Sequence, residues 1–332
     1  MRAKRLLLSR RWHAVLFACL VLGGGTGCAD AGEGRSPDRP SGGSLTLNGF
    51  DLSDAAIPVE EIHRGGPPRD GIPSIDNPQF WTVDRADEFL NDRDTVLSYG
   101  EGDDVRAYPF RILVWHEVVN DEVGGEPVAV TYCPLCGTAM VFHREYRERV
   151  LEFGVSGLLF NSDVLLYDRE TESLWTQIGL DAVSGPIKGE RLKWLPGEQM
   201  TWAAWRERNP EGKVLSTDTG YRRDYNRDPY AQYEETEATM FPFRDHRDDL
   251  LTKEWVAGLI VNGQAKAYPL DGFPADRAVE DEVAGVGLVL NYDRDADRFT
   301  AETDDGESVP VVRAYWFAWQ AFYPETNLWE AR

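Results

Sequence analysis

The chain has 332 residues, 42% of them hydrophobic and 11 of them Trp, which excludes a disordered chain and leaves room for one large domain or two modest ones. Its formal charge of -22 excludes electrostatic attraction to nucleic acid and to anionic lipid. Residues 1–27 hold Arg2, Lys4, Arg5, Arg10 and Arg11 and no acid, so the remainder is more acidic than the whole.

Taken in chain order, "MRAKRLLLSRRW" is a basic start and "AVLFACLVL" (14–22) an apolar run too short to span a bilayer comfortably. Residues 1–27 read as a signal peptide. "SRRWH" (9–13) half-resembles a twin-arginine signal, with His13 where Phe is usual. "GGGTGC" (23–28) resembles a lipoprotein cleavage site and makes Cys28 the expected lipidation position, although Gly25 replaces the usual Leu. Residues 28–45, rich in Gly, Ser and Pro, read as a flexible tether. The expected location is the outer face of the cytoplasmic membrane or another extracytoplasmic surface, held by lipid on Cys28.

Next, "VLSYGEGDDVRAYP" (96–109) reads as a hairpin and "PVAVTY" (127–132) as a short buried strand. "AMVFHREYRERVLEFGV" (139–155) and "DVLLYDRETESLWTQI" (163–178) each read as strand, turn, strand. "TWAAWRER" (201–208) is a short helix, with Thr201 as its cap, Trp202 and Trp205 on one face, and Pro210 beyond its end. "VAGLIVNGQAKAYP" (256–269) is a second hairpin with an Asn-Gly turn, and "GLVLNY" (287–292) a second buried strand. The pattern predicts a β-rich α+β fold.

These elements echo one another. "RAYP" (106–109) recurs as "KAYP" (266–269), and "NDEVGGEPVAVTY" (120–132) faces "EDEVAGVGLVLNY" (280–292) at the same offset of 160. "TWAAWRERNPEGKVL" (201–215) faces "YWFAWQAFYPETNLW" (315–329) at an offset of 114. Two copies of a strand-rich unit are expected, 46–215 and a degenerate 216–332, the first with an insertion of about 46 residues. Residues shared by both copies are then scaffold, and those in one copy alone are candidates for function. Cys133 faces Asp293, Cys136 faces Ala296, His116 faces Asp276, and 154–177 faces nothing.

Cys133 and Cys136, in "VTYCPLCGTAMVF", are the only cysteines past residue 28. A C-x-x-C pair can cycle between dithiol and disulfide, one thiolate attacking and the other resolving. It can supply half of a Zn or Cu site, completed here by His116 or His143, in a turn like that of zinc ribbons. It can also be a static clip, which closes too short a loop to add much stability. The redox reading leads, with Cys133, Cys136 and His116 as its catalytic set and His116 taking the proton. In the insertion, Asn161 and Asp163 precede a strand and face a pocket, Asp168 begins a turn, and Trp175 and Gln177 alternate onto one face. With Trp115 they form the expected substrate-binding set. No Gly-rich phosphate loop, G-x-S-x-G or H-E-x-x-H occurs.

"AYPFRILVWHEVVND" (107–121), the CPLC stretch and "FGVSGLLFNSDVLLYDRETESLWTQIGLDAVSGPIKGERL" (153–192) together resemble the bacterial and archaeal family known as domain of unknown function 3179. The resemblance runs from about residue 70 to the C-terminus. It implies no defined activity.

Overall fold

Alternating apolar and polar residues, broken by Gly, Asn and Asp, set an antiparallel sheet architecture from residue 95 onward. The computed structural model describes residues 45–244 and 246–331. The expected signal peptide, Cys28 and all but the last residue of the expected tether lie outside them. No helix among the described residues is long and apolar enough to cross a membrane.

Strands β1 (Thr95–Tyr99) and β2 (Arg106–Pro109) form a hairpin with Val96 opposite Pro109. A short helix, α1 (Phe110–Leu113), leads into a meander of β3 (Val118–Val123), β4 (Glu126–Cys133) and β5 (Thr138–His143). The insertion supplies an antiparallel run: β6 (Phe153–Phe160), β7 (Asp163–Asp168), β8 (Leu174–Thr176) and β9 (Ala182–Ser184). The chain then returns as β10 (Lys193–Leu195) beside β5, and as β11 (Glu198–Thr201) beside β1. Helix α2 (Trp202–Arg208) follows, capped as expected by the Thr201 hydroxyl, which accepts from the Ala204 N–H. Trp202 and Trp205 stack with centroids 5.6 Å apart. Strand β12 (Lys213–Leu215) lies parallel to β2.

Between residues 216 and 254, the described residues hold one regular element, the single-turn helix α3 (Ala231–Glu234). After it come β13 (Trp255–Val261), β14 (Gln264–Pro269), β15 (Val279–Val283), β16 (Val286–Asp293), β17 (Arg298–Thr303) and β18 (Val311–Tyr315). Helix α4 (Trp316–Phe322) and β19 (Asn327–Leu328) close the fold. The fold is β-rich α+β, as expected.

Pairing registers in the two halves coincide at the offsets read from the sequence. Val96 opposite Pro109 corresponds to Val256 opposite Pro269, and Val119 opposite Val130 to Val279 opposite Leu290. β12 beside β2 corresponds to β19 beside β14, both parallel. The shared residues serve as scaffold in each half. The Tyr108 hydroxyl donates to Asp121 at 2.6 Å and the Tyr268 hydroxyl to Asp281 at 3.0 Å. Arg106 pairs with Asp121 at 2.6 Å, and Lys266 with Asp281 at 2.6 Å. The halves also touch directly: the Tyr315 N–H donates to the Cys136 carbonyl, and Arg298 grips Glu198 through two bonds. One core cluster joins Cys133 and Cys136 to Trp175 of the insertion and to Trp316 and Trp319 of α4.

Removing one partner from a buried ion pair strands the other, at about 3–5 kcal/mol. Asp121→Ala is therefore expected to destabilise the protein by about 3 kcal/mol, since it strands the buried Tyr108 hydroxyl and leaves Arg106 with Asp104 as its one carboxylate partner. Asp281→Ala is expected to cost less, because its carboxylate is 15% exposed against 6% for Asp121. Urea midpoints measure both; an equal or reversed order would contradict this account.

Candidate metal centre

Strand β4 ends at Cys133, which pairs with Thr138 at the start of β5, so residues 134–137 form the turn that carries Cys136. Gly137 has φ +69, and a Cβ there would stand 2.3 Å from the Trp255 ring. Only glycine gives both that backbone and that clearance. The second half closes the equivalent turn from Asp293 to Arg298, with no thiol in it.

Against this turn sits the tip of the β6–β7 hairpin. Asn161 (φ 53) and Ser162 (φ 63) form a two-residue turn with both φ positive, which matches the right-handed strand twist. Hairpin tips ordinarily face water, but Asn161, Ser162 and Asp163 are all buried. The side chains of Asn161 and Ser162 find partners in the protein. The Asn161 amide donates to the Ala321 carbonyl at 3.1 Å and its oxygen accepts from the Arg244 N–H at 3.1 Å. The Ser162 hydroxyl donates to the Phe241 carbonyl at 2.6 Å. The Ser162 carbonyl accepts from both thiols, Cys136 Sγ at 3.4 Å and Cys133 Sγ at 4.0 Å.

Asp163 Oδ2 accepts from the Ile178 N–H at 3.0 Å, whereas Oδ1 is buried with no hydrogen-bond partner. Cys133 Sγ, Cys136 Sγ and an Asp163 oxygen all lie within 4.8 Å of one another. Among the described residues, this is the one group of three or more His, Cys, Asp and Glu ligands so gathered. Burial lifts the Asp163 carboxyl to about 7, opposed by the Ile178 bond. Burial likewise raises the Cys133 thiol, and raises Cys136 well above the ordinary range, with Cys133 and Asp163 adding to it. Glu117, also buried, is pushed up to about 8 by burial and then by the Asp163 charge.

The expected histidine ligands are corrected. His116 is fully buried, with Nδ1 2.7 Å from the Pro73 carbonyl and Nε2 2.8 Å from the Tyr225 hydroxyl. Both nitrogens are thus engaged away from the thiols, and burial lowers its pKa to about 4. His143 pairs with Val128, at the opposite end of the β4–β5 hairpin from the Cys133–Thr138 pair. Five residues of strand separate the two ends, roughly 17 Å at about 3.4 Å per residue.

The expected substrate-binding set also divides. Asp163 joins the thiols, and Asn161 anchors the tip beside it. Gln177 lies behind the turn, accepting from the Thr138 hydroxyl at 2.6 Å and donating to the Thr131 hydroxyl at 2.8 Å. Asp168 instead builds the β7–β8 turn, accepting from the Thr171 N–H at 2.6 Å and from Trp175 Nε1 at 2.9 Å. That occupies both Asp168 and Trp175 in scaffold. Trp115 Nε1 donates to the Arg227 carbonyl at 3.1 Å. Glu117 was not expected here. Its signal was available, because it stands opposite Arg277 at the offset of 160 and so differs between the halves.

Two buried thiols and an orphaned carboxylate oxygen fit a soft or borderline divalent cation. The group could hold a metal ion, and a cation there would compensate the burial that now disfavours the ionised form of all three. The same burial works against thiolate chemistry, which needs a lowered pKa and access.

In the unfolded chain Asp and Glu titrate near about 4. A carboxyl raised in the folded state favours folding while protonated and loses that advantage as the pH climbs through its folded value. Metal-free protein is expected to lose stability between about pH 4 and about pH 8. Asp163→Asn with Glu117→Gln should flatten that fall. Denaturant midpoints in chelator at about pH 5 and about pH 9 would read it. A wild-type midpoint that does not fall would refute the assignment.

No curated protein and no solved structure matches the chain. A family model described as "Protein of unknown function (DUF3179)" matches residues 69–308, which include the whole thiol–carboxylate group. The chain belongs to the DUF3179 family.

Proposed function

We propose that this is an exported, lipid-anchored metal-binding protein whose centre is Cys133, Cys136 and Asp163. The observation that carries the reading is the buried Asp163 Oδ1, which has no hydrogen-bond partner and shares a 4.8 Å neighbourhood with both sulfurs. Leaving a charged acceptor unsatisfied costs more than the usual 1–3 kcal/mol, roughly, for a neutral one. A bound cation removes that cost. Two thiolates with one carboxylate favour Zn(II), and Cu(I) is the softer alternative that would use the sulfurs alone. Glu117, which interacts electrostatically with both Asp163 and Cys133, completes the anionic surroundings.

A second reading, thiol-disulfide exchange, is favoured by one observation: the two sulfurs converge on a single carbonyl, that of Ser162. Burial of both thiols and their raised pKa values weigh against it. In either reading, residues 46–215 and 216–332 are two copies of one unit, of which the first alone has kept the chemistry. The coincident registers support this.

Protein purified without chelator is expected to carry about one Zn or Cu per chain. Cys133→Ser, Cys136→Ser and Asp163→Asn should each lose most of it, whereas His143→Ala should retain it. Elemental analysis with a thiol titration decides; a metal-free wild type with reversibly oxidised thiols would transfer the case to the redox reading.

For the anchor, the proposal places the mature N-terminus at a lipid-modified Cys28, on the outer face of the cytoplasmic membrane or a comparable surface. "GGGTGC" and the tether that follows it support this. Mass spectrometry of the mature protein should find diacylglyceryl on Cys28. An unmodified N-terminus beyond residue 28 would end the proposal.

A further inference from the structure

The centre is closed on every side: Cys133 is 1% exposed, Cys136 0% and Asp163 1%. Whatever binds there after folding must displace a wall. Three of the walls are held by backbone ladders. These are the β4–β5 hairpin, the β6–β7 hairpin, and β18, which is paired to β13 and donates the Tyr315 N–H to the Cys136 carbonyl.

The fourth wall is different. Residues 219–243 cross the outside of the centre, and no backbone-to-backbone hydrogen bond among the described residues ties them to the rest of the fold. Side chains hold them instead. Tyr225 Oη meets His116 Nε2 at 2.8 Å and Thr219 Oγ1 at 2.6 Å. Arg111 Nε donates to the Tyr225 carbonyl, and Trp115 Nε1 to the Arg227 carbonyl. Tyr233 then reaches inward, its hydroxyl donating at 2.8 Å to Leu135 within the CPLC turn itself. Farther on, the Phe241 carbonyl accepts from Ser162. The outer side of the segment meets solvent, with Tyr221 and Met240 45% and 58% exposed.

We infer that residues 219–243 are a strap that opens to admit and release the metal, and that its latch is the contact of Trp115 and His116 with Tyr225 and Arg227. The inference rests on the metal reading only for what passes through. The latch gives a function to His116, whose nitrogens are both engaged away from the thiols. It also accounts for the fully buried imidazole being spent on a tyrosine hydroxyl. Opening the strap breaks side-chain bonds and leaves every sheet ladder intact, so it is a local event with its own equilibrium rather than a share of global unfolding.

The test reads access to the thiols in chelator-treated protein, by the rate at which a maleimide labels Cys133 and Cys136. Tyr225→Phe removes the His116 and Thr219 bonds, and Trp115→Phe removes the Arg227 bond. Each is expected to label about tenfold faster than wild type, the effect of one or two lost hydrogen bonds on the opening equilibrium. Trp205→Phe is the control, since it loses a buried bond of 2.8 Å to Ser98 in the sheet of β1 and β2. It should label no faster than its loss of global stability dictates, read from urea midpoints. If the latch variants follow global stability as the control does, the centre opens only by unfolding and the strap is refuted. Trp115→Phe keeps the test alive if Tyr225→Phe fails to fold, because Trp115 is only partly buried. Labelling is measured without metal. Fast labelling in protein that never binds metal would therefore overturn the metal reading and leave the strap standing.

Discussion

The interaction on which the structure turns is one that the protein leaves unmade. Asp163 Oδ1 lies in the core with no hydrogen-bond partner. Proteins pair almost every buried polar atom, and an exception of this kind calls for a cause. Here the cause has neighbours, two thiols held to the same spot by a turn that tolerates only Gly137 at its exit. The surrounding architecture maintains the exception. A hairpin tip is buried where tips are usually wet, an aromatic layer from the second half closes over the CPLC turn, and Gln177 fixes that turn from behind. None of these devices stabilises a simple core better than a few aliphatic side chains would.

The relation between the halves follows from that constraint. Residues 216–332 hold no thiol, and Asp293 is spent on the backbone N–H groups of its own turn, at Asp295 and Ala296. The second half contributes the Tyr315 N–H, Trp255 over Gly137, and the Ala321 carbonyl that holds Asn161. It acts as a wall for the first half.

The sequence was legible where local chemistry decides the outcome. The two hairpins, the cap at Thr201, the Trp202–Trp205 face and the position of Cys133 at a strand end all follow from turn residues, capping and period-two patterning. The pairing of Asp163 with the thiols was half legible, because the insertion stood out as unmatched while its hairpin direction did not. The failures came from tertiary contacts. Nothing in "LVWHEVVND" tells that His116 would spend both nitrogens on Pro73 and Tyr225, or that its neighbour Glu117 would point into the core with φ 59. His143 was misplaced for a simpler reason, since five residues of extended strand lead away from the turn. Trp175 looked like part of a binding face because alternation gives the side of a strand and not what covers it, and Asp168, read at the start of a turn, is taken up by that turn.

The buried hairpin tip also makes the centre depend on residues far along the chain. Asn161 is held by Ala321, 160 residues later in the chain, and Ser162 by Phe241. Contacts of such separation close late, after the loop between them has been ordered. The tip that carries Asn161 and Ser162 is thus secured from two places far along the chain, α4 and the stretch at Phe241. Loosening α4 would therefore free the hairpin tip that sets Asp163 beside the thiols, although α4 supplies no ligand of its own.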